Sequence, residues 1–120
     1  MNEGTAIRLI RKRLNIKQAE LAGTIGLSQT SLSQIEQNLK RPSTRTLQKI
    51  CKALDIPESL IYVLGMERDD VSPARRSTYD MLFPSIANIA LEIVGPQNGE
   101  GDEKAAEPAK KRAPAKKKAK

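Results

Sequence analysis

The residues of this 120-residue chain best placed for recognition chemistry are uncharged: Gln29, Thr30, Ser33, Gln34 and Gln37. Spaced one, three, one and three apart, they fall on one side of an α-helix. A helix that only faces water ordinarily carries Glu and Lys there. Amides and hydroxyls can instead read base edges in a DNA major groove: a glutamine can bond adenine N6 and N7 together, and a threonine methyl can pack on thymine. The plainer reading is an ordinary polar surface on a helical packing domain. Lys17, Gln37, Lys40 and Arg41 flank the face and suit phosphate contacts, which position a protein on a duplex without reading sequence.

Other chemistry has little to work with. The chain has no His and one Cys, so it lacks a Cys/His metal set and an internal disulfide. General acid–base work at neutral pH wants His or carboxylates perturbed in a pocket, and the helical region shows no clustered Asp/Glu. Cys51 shares an apolar stripe with Leu47, Ile50 and Leu54 and reads as a core residue, not a nucleophile. The expectation is a non-enzyme with no cofactor and no metal.

Five helices must carry the polar face. Ile7, Ile10 and Leu14 recur at helical spacing and predict a helix from about Thr5 to Leu14, stopped by Asn15. A second runs Gln18–Ile25 and ends at Gly26. Ser28 caps a third over Gln29–Gln37, with Leu32, Ile35 and Glu36 opposite the polar face and Asn38 at a left-handed terminus. Ser43 caps a fourth with the Leu47–Leu54 stripe, and Pro57 opens a fifth that ends near Gly65. Short connections imply a closed all-α unit over residues 1–65.

The second and third helices, through Lys17-Gln18-Ala19-Glu20-Leu21-Ala22, Gly26-Leu27-Ser28-Gln29, Ile35-Glu36 and Arg41-Pro42-Ser43, resemble the Cro/phage-repressor (XRE) helix-turn-helix family. The resemblance covers about residues 7–64 and is close to lambdoid phage repressors in those two helices. It implies a five-helix, lambda-repressor-like DNA-binding domain in which a helix N-terminus enters the major groove. It implies that Gln18 bonds a phosphate and braces the first base-reading residue, Gln29, with Thr30, Ser33 and Gln34 making further base contacts. It also implies a structural ion pair between Arg11 and Glu36. Lys17 departs from the usual Ser/Thr cap, Asn15 and Asn38 stand where the family has Gly, and Leu39 is apolar in a loop the family keeps polar.

The rest of the chain divides by charge. Residues 1–65 hold 10 Lys/Arg against 5 Asp/Glu, residues 66–103 hold 3 against 8, and residues 104–120 hold 8 against 1. Two basic blocks around an acidic one point to a polyanion partner for the blocks and another task for the middle. Glu67–Val71 reads as an acidic linker, and Ser72-Pro73 as the start of a further helix ending at Gly95-Pro96. Its stripe of Tyr79, Leu82, Ile86, Ile89 and Ile93 suits either dimerisation or packing on its own domain, through Leu9 and the fifth helix. Pro84 is expected to kink or split it. Residues 97–120 read as a disordered Lys/Ala/Pro-rich tail that adds non-specific DNA affinity.

The expected organisation is therefore a DNA-binding domain (1–65), an acidic linker with an apolar helix (66–96) and a basic tail (97–120). No signal sequence or membrane span is visible, so a cytoplasmic, nucleoid-associated location is expected. The function expected is sequence-specific binding of double-stranded DNA by a homodimer that represses transcription. Two rivals remain: an antitoxin-type module whose 66–95 region also binds a small toxin protein, and an architectural nucleoid protein in which the tail dominates.

Overall fold

The computed structural model describes residues 1–95, and among these it is all-helical, without a strand. Six α-helices follow in order: α1 (Glu3–Arg13), α2 (Gln18–Ile25), α3 (Gln29–Glu36), α4 (Thr44–Leu54), α5 (Glu58–Leu64) and α6 (Arg76–Val94). The terminators are chemical. Asn15 and Asn38 take the left-handed conformation (φ 58° and 63°), as does Gly26 at φ 75°; a short polar side chain tolerates that region and glycine occupies it freely. Asp55 at φ 57° ends α4 in the same way. Ser28 and Ser43 accept the backbone N–H of Ser31 and Thr46, capping α3 and α4. Lys17 has no cap to offer, and the Glu20 carboxylate reaches back to its N–H instead.

The core is almost wholly aliphatic. Ile7, Ile10, Leu32, Ile50 and Ile61 are fully enclosed, each contributing about 1.5–3 kcal/mol of burial. α3 packs on α1 and α2, α4 on α2, and α5 on α1. Gly4 lets α1 approach the end of α3, since a Cβ there would lie 1.8 Å from the Ile35 carbonyl oxygen. α1 accordingly begins at Glu3, earlier than its apolar spacing predicts, and Glu3 is buried against this junction.

Three features beyond residue 65 differ from the sequence expectation. The acidic segment is not a free linker. Residues Arg68–Asp70 form a 3-10 turn, with the Met1 amino group donating to Glu67 and Asp70 and the Asn2 amide donating to Glu67. The Met1 amino group and the Glu67 backbone N–H, both donating to Asp70, hold its carboxyl below its ordinary range. Ser72-Pro73 opens a second 3-10 turn, Pro73–Arg75, which feeds α6. α6 then runs unbroken through Pro84, so of the expected kink or split the split does not occur. A proline removes one backbone donor, and the tertiary anchors at either end of α6 hold the helix together.

Those anchors also decide which way α6 faces. The Tyr79 hydroxyl donates to the Met66 carbonyl at 2.9 Å, and Arg13 donates to the Gly95 carbonyl at 2.8 Å. Between them Ala90 enters the core and Ala87, Leu91 and Val94 pack against it. α6 thus lies on α1 and α5. Of the predicted stripe only Tyr79 turns partly inward, stacked on Phe83. Leu82, Ile86, Ile89 and Ile93 point out, the last two 62% and 66% exposed. Alanines permit the close helix approach, so the small-residue face turned in and the bulky one remained outside. Leu9 and Leu39 are both exposed.

Candidate nucleic-acid interface

α2 and α3 meet at a turn of three residues outside the helices, the left-handed Gly26 followed by Leu27 and Ser28. This turn and the Ser28 cap leave the N-terminus of α3 open to solvent. Gln29, Thr30, Gln34 and Gln37 are exposed and Ser33 is half-buried, all on the side away from Leu32 and Ile35. No acidic residue lies on that side: Glu36, the one acid of α3, is turned into the core. The face therefore offers donors and acceptors without repelling a polyanion.

Beneath the face lies a bonded series of side chains. Arg11 Nε donates to Glu36 Oε2 at 2.7 Å and Arg11 Nη2 to Glu36 Oε1 at 2.9 Å, a two-point pair between α1 and α3. The side chains are only 9% and 2% exposed. Arg11 Nη1 also donates to the Ile16 carbonyl, tying in the α1–α2 turn. Gln18 Nε2, at the start of α2, donates to Glu36 Oε1 at 3.0 Å, and Gln29 Nε2 donates to Gln18 Oε1 at 3.2 Å. Gln37 Nε2 donates to Ser33 Oγ at 2.7 Å, so these two act as a unit.

The flanking cations are less constrained. Lys17 and Lys40 are exposed at opposite ends of the helix pair. Arg41 is 80% exposed and bonded to the buried Glu3 carboxylate at 2.8 Å. Glu3 therefore holds one guanidinium nitrogen while the rest of the group stays open to an anion. Asn38 donates to Thr5 Oγ1 and fastens the loop that carries Lys40 and Arg41 to α1. Cys51 is buried in α4, and desolvation, with the charge of Glu58 adding, pushes its thiol up to about 11. Among the described residues no cluster of His, Cys, Asp or Glu is suited to a metal ion, and no helix is long and apolar enough to cross a membrane.

The polar face of α3 is legible in the sequence, but one residue that organises its surroundings, Glu3, and one contact, Gln18 to Glu36, are not. Glu3 carries no sequence signal beyond being an acid in a first helical turn. The bond from Gln18 to Glu36 spans 18 residues and has no local signature.

The helix-turn-helix family profile matches residues 7–61, from the first core isoleucine of α1 into α5. Residues 7–61 are a helix-turn-helix domain of the Cro/phage-repressor family. Within this domain the packing of α2 on α3 and the two-point Arg11–Glu36 bond make the frame that carries the polar face. Two strains of Mycobacterium tuberculosis carry an uncharacterized HTH-type transcriptional regulator that is 37% identical to the chain over 74 residues, 60% of the chain and 53% of that protein. The ImmF control region 10 kDa protein of Bacillus phage phi105 is 40% identical over 53 residues, 44% of the chain and 59% of that protein. The chain thus spans little more than half the length of these curated relatives. No solved structure matches the chain.

Proposed function

We propose that this protein is a transcriptional regulator that binds double-stranded DNA sequence-specifically, with α3 in the major groove, and represses transcription. The observation that carries the reading is the outward face of α3: Gln29, Thr30, Ser33 and Gln34, free of acids and positioned by a capped helix N-terminus. These groups match the donor and acceptor pattern of base edges. Lys17, Gln18, Gln37, Lys40 and Arg41 surround them as phosphate contacts. The names of the relatives, a transcriptional regulator and a phage control-region protein, agree with this reading. In this division of labour residues 1–65 bind DNA, residues 66–96 join two copies, and residues 97–120 add charge for the phosphate backbone in a cytoplasmic, nucleoid-associated setting.

A second copy suits the outer face of α6. Met81, Leu82, Ile86, Ile89 and Ile93 leave an uncovered apolar surface. Beside it Leu82 and Ile86 join Met66, Val71, Tyr79 and Phe83 in lining a cleft of about 210 Å³. Exposed apolar patches of this kind mark interaction surfaces, and a two-fold dimer doubles weak half-site contacts. A small toxin protein co-purifying on this face in place of a second copy would favour the antitoxin reading.

The test is selection of bound duplexes from a randomised pool, followed by Gln29→Ala. The substitution is expected to weaken binding to the selected site by roughly 1–3 kcal/mol and leave random duplexes nearly unchanged. An equal loss on both kinds of duplex refutes base reading by Gln29.

A further inference from the structure

We infer that the buried Glu36 carboxylate, acting through Gln18, sets which way round the Gln29 amide faces DNA, and so selects adenine over guanine at one base pair. The inference rests on Gln29 being a base reader and adds a positioning residue that touches no DNA.

A primary amide is chemically two-ended, and nothing in an isolated glutamine decides which end faces a partner. Here the decision starts in the core. Glu36 is an acceptor at both oxygens and is held by Arg11, which donates to both. Gln18 meets Glu36 Oε1 at 3.0 Å and must do so with its NH2 group, because the flipped amide would set oxygen against a carboxylate oxygen. Gln18 Oε1 is thereby left facing Gln29, which must in turn offer its own NH2, the bond seen at 3.2 Å. One Gln29 N–H is engaged inward. The other N–H and Oε1 remain for the groove, one donor and one acceptor side by side.

That outward pair fits adenine, which needs a donor for N7 and an acceptor for the N6 amino group. Guanine presents two acceptors, N7 and O6, and is served by two donors. Gln29 offers two outward donors only when its oxygen turns inward, and Gln18 Oε1 repels that arrangement. Adenine preference at this base pair therefore depends on a charge located in the core between α1 and α3. The second N–H of Gln18 stays available for a phosphate.

The experiment uses the full chain and duplexes varied only at the base pair whose preference Gln29→Ala abolishes. Wild type is expected to favour adenine over guanine there by about tenfold or more. Glu36→Gln can offer Gln18 either end of its own amide, and the preference should fall to about threefold or less while preferences at other positions persist. If that variant does not fold, Arg11→Met/Glu36→Leu removes the same carboxylate with an apolar pair of the kind that buried ion pairs often accept. Gln18→Met breaks the link and leaves the ion pair in place; it should relax the same position. A folded variant lacking the carboxylate that keeps the full adenine preference overturns the inference while base reading by Gln29 stands. Preference lost evenly at every position also overturns it, because that reports general loosening of α3. If Gln29→Ala alters no base preference, base reading by Gln29 fails and the inference fails with it.

Discussion

Replacing Arg11 with alanine would leave the Glu36 carboxylate, 2% exposed, with Gln18 as its remaining side-chain donor among the described residues. The lost guanidinium also supplies the donor to the Ile16 carbonyl at the α1–α2 turn. Breaking a buried pair from one side costs about 3–5 kcal/mol, because the surviving charge is desolvated without its counterion. A helical unit of this size has a total stability on the order of 5–14 kcal/mol. The substitution would therefore remove about a fifth or more of it and lower the melting temperature by roughly 12–40 °C. Urea titrations followed by far-UV circular dichroism on wild type, Arg11→Ala, Glu36→Ala and the double variant measure the effect. The double variant should lose about 2 kcal/mol less than the sum of the singles, since both singles remove the same pair. Arg11→Met/Glu36→Leu should remain near wild-type stability. A single-variant loss below about 1 kcal/mol, or strictly additive losses, would refute the view that these side chains form one buried unit.

On α6, Ile89→Glu should disrupt dimers in sedimentation and change protomer stability by less than about 0.5 kcal/mol, because Ile89 is exposed. Ala90→Leu, one residue on and only 4% exposed, should lower stability by about 1–3 kcal/mol through overpacking; an Ile89→Glu protein that still dimerises moves the interface elsewhere. Burial raises the Cys51 thiol to about 11, so the native protein should resist iodoacetamide at pH 8 and react once unfolded in urea. As pH rises above about 8.5 the unfolded thiol ionises before the native one, so the burial-linked stability is intact below that pH and declines toward 11. Cys51→Ala lacks this decline, and urea titrations of both proteins at pH 8 and pH 10 expose the difference; parallel behaviour would contradict the shift. Removing residues 104–120 takes away eight Lys/Arg and one Glu, and loss of three or four phosphate contacts would flatten the salt dependence of DNA binding by roughly 3 in slope. An unchanged slope would show that this segment does not contact DNA.

The helices, most of their ends and the polar face of α3 were legible because each depends on residues three or four apart or on a single cap; the start of α1 at Glu3 and the left-handed stop at Asp55 were not. Ile7 and Ile10 mark the buried side of α1, Ser28 and Ser43 satisfy helix N-termini, and Asn15, Gly26 and Asn38 supply left-handed stops wherever the chain folds. Gln29 and Gln34 were visible as an uncharged face for the same reason. The orientation of α6 was not. Its bulky stripe and its alanine face both recur at helical spacing, and periodicity alone does not say whether the larger apolar side packs on its own domain or on a second copy. The fit against α1 and α5, with Tyr79 and Arg13 anchoring the ends, chose the alanines instead. Similarly, Glu67 and Asp70 look like solvated acids until the N-terminus of α1 is brought beside them.

What the sequence determined by itself was thus the set of helices, the caps that bound them, and the chemistry each presents. What only the tertiary structure decided was which faces meet: α6 turned with its isoleucines outward, Glu3 enclosed beside Arg41, and Gln18 placed between Glu36 and Gln29. Local order follows from backbone geometry that repeats along the chain. Contacts between residues 18 and 36, or 13 and 95, depend on shape complementarity between helices already formed, and no short-range pattern encodes it.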